Sequence, residues 1–174
     1  RPLVSVVIPV YNGERYLAEC LASVVGQTWS PLDIVVVDDG STDGSVAIAE
    51  QADSPVRVIR QANLGVATAR NRGIAEARGA YIALLDQDDL WVPEKIAAQM
   101  AHLLADPGID YVVTEQERFV ENGLTRPDWA RTHQVHTVVG GLEPSAVLMR
   151  RSVFERVGLF DPRFVVASDA EWFF

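Results

Sequence analysis

The chain reads as an α/β domain, a three-layer α/β/α sandwich around a mostly parallel central sheet. Three observations predict it. Apolar, β-branched runs alternate with stretches of helical periodicity from residue 3 to about residue 114, and such alternation implies right-handed crossovers between parallel strands. The runs lack the strict polar alternation of a sheet with one wet face, as strands covered on both sides do. Finally, 174 residues at 48% apolar and 22% charged suffice for one ordinary globular core.

Each element follows from its own stretch. LVSVVIPV (3–10) is the first strand, and GERYLAECLASVV (13–25) carries helical periodicity with Cys20 on the apolar face. DIVVVD (33–38) and SVAIAEQA (45–52) give the second strand and helix, VRVIRQ (56–61) and VATARNRGIAEA (66–77) the third. AYIALL (80–85) is a fourth strand, followed by a helix over PEKIAAQMAHLL (93–104) with Pro in its first turn. IDYVVT (109–114) is a fifth strand. The regularity then fades, and residues 121–141, rich in Gly, polar residues and isolated aromatics, read as a long loop or flap. PSAVLMRR (144–151) predicts a further strand, and SVFERVG (152–158) a helix with a Ser152–Glu155 capping box and a terminating Gly158. No boundary divides the chain, so a single domain over 1–174 is expected. EWFF breaks off inside a helical stretch, which predicts continuation beyond Phe174.

A net charge of −9 excludes non-specific nucleic-acid binding, which needs a basic face. An acidic chain still binds a nucleoside diphosphate if a divalent cation bridges the two. The single cysteine excludes an internal disulfide and a multi-cysteine zinc site, and fits a reducing compartment. No run approaches a membrane span and no signal peptide opens the chain. A cytoplasmic location, peripheral at the inner face of the membrane in one version, is the expectation.

In open α/β sheets ligands bind beyond the carboxyl ends of the strands. The first strand ends in Pro9, Tyr11 and Asn12, the second in Asp38 and Asp39 before GSTDGS, the fourth in Asp86, Asp88 and Asp89. Turn and cap chemistry accounts for Gly40 and Ser41, with Ser41 or Thr42 capping the next helix. A second adjacent acid, Asp39, is left over, and suits hydrogen bonds from a ligand's N–H or hydroxyl groups. For DQDD one cap needs one aspartate. Asp86 and Asp88, two apart on an extended chain end, face one cation with Gln87 turned away, and Mg²⁺ or Mn²⁺ takes one or two carboxylates plus phosphate oxygens. Arg70 and Arg72 lie on a helix starting at the same edge, placed either for a diphosphate or as a solvated face. Asn71 and Gly73 serve packing or the helix turn. Asp169 and Glu171 are either further site acids or helix-start charges. His133 and His136 are a weak metal signal, and Trp91, Trp129 and Trp172 are sugar platforms or packing. There is no G-x-x-x-x-G-K-[ST] phosphate loop, no G-x-G-x-x-G fingerprint and no G-x-S-x-G elbow.

VSVVIPVYNGERYLAECLASVVGQTW, IVVVDDGSTDGS, NLGVATARNRGI, GAYIALLDQDDLWVPEKI and GLFDPRFVVASDAEWFF together resemble the inverting family 2 glycosyltransferases of GT-A fold, over nearly the whole chain and in the family's order. The resemblance implies a GT-A nucleotide-diphospho-sugar transferase domain. Residues 1–114 would form its nucleotide-sugar and metal half, and 115–174 its acceptor side. It implies a nucleotide-diphosphate sugar donor, a UDP-sugar first among them, a Mn²⁺ or Mg²⁺ cofactor, and a glycan, lipid-linked or small-molecule acceptor. Pro9, Tyr11 and Asn12 match the first-strand nucleotide motif, Asp39 the base-binding acid and Arg70 a position near the diphosphate. Asp86 and Asp88 match D-x-D, with Asp88 the main metal ligand and Asp86 nearer the ribose and diphosphate. Asp89 is separable from them, either a turn or helix-start residue or a group near the acceptor. Asp169 matches the catalytic base, but Ser168 replaces the usual Glu before it, so Glu171 stays a second candidate. The alternative is a domain that binds nucleotide sugar and metal without turnover.

Overall fold

A computed structural model describes residues 1–120, 138–141, 143–164 and 172. Its elements run β1 (Val4–Val10), α1 (Leu17–Val25), β2 (Leu32–Asp38), α2 (Ser45–Glu50), β3 (Val56–Arg60), α3 (Val66–Glu76), β4 (Tyr81–Leu84), α4 (Lys95–Ala105), β5 (Tyr111–Val113), β6 (Glu115–Glu117), β7 (Val138–Gly140), β8 (Val147–Arg150) and α5 (Arg151–Val157). The main sheet has the order β3-β2-β1-β4-β8-β5, with β6 and β7 forming a separate antiparallel ribbon. β1 to β4 are mutually parallel, as the alternation predicts.

The alternating faces of β1 generate the three layers. Val4, Val6, Ile8 and Val10 point to one side, where they meet Leu17, Cys20, Leu21 and Val24 of α1 and Ile96, Met100 and Leu103 of α4. Val7 points to the other, into a cluster with Ala67 and Ile74 of α3 and Val153 and Phe154 of α5. α3 approaches the sheet closely because its inner face is built from small residues. A Cβ placed on Gly73 would lie 2.2 Å from Val7 Cγ1 and 3.2 Å from Val37 Cγ2. Ser5, buried among apolar neighbours, donates to Asp33 and accepts from the Arg78 and Gly79 amides, which closes the far end of the sheet.

Beyond residue 115 the structure departs from the sequence expectation. Residues 144–151 are not one strand: Pro144–Ala146 form a single 3₁₀ turn, and β8 follows it. β8 runs antiparallel to both β4 and β5 and separates them, so β5 sits at the sheet edge. The Ser152–Glu155 capping box does not form. The Arg151 amide bonds to Ala80 O, α5 begins at once, and Ser152 already lies inside the helix. Gly158 does end α5, its amide donating to Phe154 O at 3.0 Å. α4 likewise starts at Lys95, two residues after Pro93. Among the described residues no helix is long and apolar enough to cross a membrane.

α4 also buries a charge-bearing side chain. Lys95 is 6% exposed, its Nζ donating to Gln99 Oε1 at 2.9 Å and lying 4.2 Å from the Trp91 ring centroid. Burial pushes its ammonium from 10.5 down to about 7. The folded state therefore binds fewer protons than the unfolded chain between about pH 7 and pH 10, and this group makes stability rise with pH across that window. Urea midpoints measured from pH 6 to 10 should climb for the native chain relative to Lys95→Met; parallel curves would refute the assignment.

Candidate functional site

β1, β2 and β4 all end at one edge of the sheet. The ladder continues past β2, with Asp39 N donating to Val10 O at 2.7 Å, and past β4, with Leu85 N donating to Val7 O at 3.0 Å. The loops that leave this edge enclose a cleft of about 410 Å³, walled by Pro9, Tyr11, Asp39, Asp86, Gln87 and Asp88 on its polar side and by Val66 and Ala69 of α3. That volume suits a small organic ligand.

The loop after β1 is laced to the loop after β2. Asn12, at φ 49, donates its amide to Ser41 Oγ and accepts from Thr42 N at 2.8 Å through Oδ1. Gly13 N donates to Ser45 Oγ, Glu14 N to Asp43 Oδ2 and Gly44 N to Glu14 Oε2. Ser41 and Thr42 are thus spent on this lacing instead of capping α2, which begins only at Ser45. Gly40, at φ 80, makes the turn that brings the two loops together. Asn12 belongs to this scaffold and does not line the cleft.

Asp39 is 4% exposed and organises the third loop. Its Oδ1 accepts from Gln61 Nε2 at 2.8 Å and Leu64 N at 2.9 Å, and its Oδ2 from Gly65 N at 2.8 Å. A carboxylate has about four acceptor positions. Asp39 therefore keeps acceptor capacity, and it lines the cleft.

The DQDD turn divides its acids among three environments. Asp86 receives Nη2 of Arg70 at 2.7 and 3.0 Å on its two oxygens, while its amide donates to Ser145 Oγ at 3.0 Å. Arg70, 4% exposed, lies outside the cleft wall. Asp88 is exposed and lines the cleft. Asp89 is exposed and does not line the cleft. Burial pushes its carboxyl above the usual carboxylate range, the Ser145 hydroxyl opposes this, and the charges of Asp86, Asp88 and Glu143 add to it. Gln87 does not turn away. Its Oε1 accepts from Tyr11 N at 2.9 Å and its Nε2 donates to Tyr11 O, which fastens the β4 end to the β1 end.

Around the acids the structure separates packing from chemistry. Burial and then the charges of Asp89, Asp86 and Asp88 push the Cys20 thiol up to about 12, so it stays protonated beneath the turn. Trp91 is buried, its indole N–H donating to Ser145 O at 2.8 Å, and Trp172 stacks on Phe154 and Phe160. Both are packing residues. Arg72 is exposed and pairs with Glu76. Asp169, Glu171, Trp129, His133 and His136 lie outside the described residues. Gln87, Ser145 and Asn63, which also lines the cleft, carry no signal in the sequence: an isolated amide or hydroxyl has no pattern until its partner is known.

Comparison with known proteins bears on the same region. Residues 5–158 match the family model described as glycosyl transferase family 2. The chain is 34% identical over 179 residues to YibD of Escherichia coli K12, described as an uncharacterized glycosyltransferase, with 89% of this chain and 52% of YibD covered. It is 38% identical over 124 residues to the glycosyltransferase GlyG of Streptococcus pneumoniae, covering 69% and 41% of the two chains. The chain thus spans about half or less of the length of these relatives. Among solved structures, Staphylococcus aureus TarS 1–349 in complex with UDP superposes with a TM-score of 0.73 at 23% identity, over 97% of this chain and 53% of that one. The mannosyltransferase PcManGT of Pyrobaculum calidifontis, in complex with GDP-Man and Mn²⁺, gives 0.71 at 24% identity, over 99% and 51%. These likenesses establish the GT-A fold.

Asp39→Asn leaves at least one of Gln61, Leu64 N and Gly65 N without its acceptor. It should cost about 1–3 kcal/mol and speed amide exchange at Leu64 and Gly65; thermal melts and hydrogen exchange check both.

Proposed function

Starting from the chain's membership of glycosyl transferase family 2, we propose that it forms the donor-binding and catalytic domain of an inverting enzyme. The enzyme moves a sugar from a nucleoside diphosphate to an acceptor hydroxyl. The observation that carries this reading is the convergence of Asp39, Asp86 and Asp88 on one cleft at the carboxyl edge of the parallel strands. Three carboxylates around a cleft suit an anionic ligand only if a cation is bound with it.

The residues present fit a divalent cation. Asp88 presents an exposed carboxylate to the cleft, and Mg²⁺ or Mn²⁺ characteristically takes one or two carboxylates and completes its shell with phosphate oxygens and water. Among the described residues no three His, Cys, Asp or Glu side chains gather into a self-sufficient metal centre. Asp88 would therefore hold the cation together with the donor's diphosphate, with Asp86 beside it. When bound, the cation neutralises charge on the departing nucleoside diphosphate. PcManGT, crystallised with GDP-Man and Mn²⁺, and TarS, crystallised with UDP, support this combination.

The chain's own groups take the remaining roles. Pro9 and Tyr11 wall the nucleoside end of the cleft, and Asp39 accepts from the base or a ribose hydroxyl with its remaining acceptor capacity. Arg70 sits behind Asp86 and acts on the diphosphate end through it, while Asn12 holds the loop that carries Tyr11. Asp169, or Glu171, takes the proton of the attacking acceptor hydroxyl. Attack opposite the leaving group inverts the anomeric centre and needs no enzyme nucleophile. Residues 115–174 form the acceptor side, with Asp89 at its border. A UDP-sugar is the leading donor, the acceptor a glycan, lipid-linked or small hydroxyl compound. The site works on the cytoplasmic side.

Calorimetry with UDP, GDP and dTDP, with and without Mn²⁺, tests the reading. Binding should need the metal, and Asp88→Ala should weaken it at least about tenfold. Metal-indifferent binding, or binding that survives Asp88→Ala undiminished, would sink it. Separately, Asp169→Asn should leave donor affinity intact and slow transfer by about 10²–10⁴-fold; if Glu171→Gln does so instead, Glu171 is the base.

A further inference from the structure

Arg70 and its neighbour Asn71 lie in the middle of α3, and both reach Phe160 in the segment that follows α5. Asn71 Nδ2 donates to Phe160 O at 2.7 Å, and Phe160 N donates back to Asn71 Oδ1 at 3.0 Å. The carboxamide thus closes both backbone bonding groups of one residue 89 positions away. Phe160 is 1% exposed, and its ring is wedged between Phe154 and Trp172, at centroid distances of 6.4 and 5.3 Å. The guanidinium of Arg70 lies 5.7 Å from the centroid of that same ring.

Arg70 meets Asp86 through a single nitrogen, Nη2, which contacts both carboxylate oxygens. A one-nitrogen contact does not fix the guanidinium plane as a two-nitrogen fork does. Arg70 Nε is buried, and finds no partner among the described residues. Hydrogen bonding therefore does not by itself fix the plane, and the Phe160 ring packs against the buried guanidinium.

We infer that Asn71 and Phe160 are positioning residues for Asp86 and act through Arg70: Asn71 fixes Phe160, Phe160 fixes the guanidinium, and the guanidinium aims the Asp86 carboxylate along the cleft. The inference rests on the donor-site reading above for its consequence, while the relay itself is a property of the ligand-free protein. It gives Phe160, which does not line the cleft, a part in the donor site. A plain tertiary staple between α3 and the segment after α5 would affect stability alone.

The test separates the two. In ligand-free protein, the Asp86 carboxyl-carbon resonance should move in Asn71→Ala and in Phe160→Leu, in the direction it moves in Arg70→Lys. The resonance of Asp33, paired with Arg57 at the opposite end of the sheet, should stay put. UDP affinity in the presence of Mn²⁺ should fall about tenfold in both variants, measured well below their melting points. An unmoved Asp86 resonance in folded Asn71→Ala and Phe160→Leu overturns the relay, and a moved resonance with unchanged UDP affinity overturns its consequence for donor binding. If the native protein binds no UDP with Mn²⁺, the proposed function falls, and the Asp86 resonance still decides the relay.

Discussion

The structure depends on the burial of β1 from both faces. From Val4 to Val10 every residue of this strand is buried, and its backbone is paired on one edge by β2 and on the other by β4. A strand with no wet face must be covered twice, which demands helices on both sides and crossovers of one hand between its neighbours. Three parallel strands then end together, and the loops that leave them have nowhere to go but the same edge. The close approach of α3 at Gly73 tightens this arrangement and brings Arg70 within reach of Asp86.

The edge concentrates negative charge, and each acid is handled differently. Asp38 and Asp39 are buried and spend oxygens on backbone N–H groups and Gln61, so they shape loops, and Asp39 also lines the cleft. Asp86 is neutralised by a buried arginine, a pairing that offsets the desolvation of both groups. Among the described residues Asp88 has no such partner, and it opens to solvent at the cleft, an environment that suits a shared cation site. Beneath the turn, Trp91, Ser145 and Lys95 form a buried polar seam that fixes where the DQDD backbone lies.

Much of this was legible in advance because it is local. The order of strands and helices up to Val113 follows from periodicity, and the gathering of acids at strand ends follows from contiguous sequence. The reading weakened where pairing is non-local. β8 enters between β4 and β5 from a stretch whose residues give no sign of direction. Ser152 has the right neighbours for a capping box, yet the sheet register starts the helix two residues too early for it.

The sequence by itself determined the fold class, the family resemblance and the acids that define the site, since each is written in short windows of residue type and spacing. Only the tertiary structure decided what those acids do at rest. Arg70 lies 16 residues from Asp86, Gln87 lies 76 from Tyr11, and Asn71 lies 89 from Phe160. Hydrogen bonds over such separations follow from the packing of whole layers, a quantity no local pattern contains.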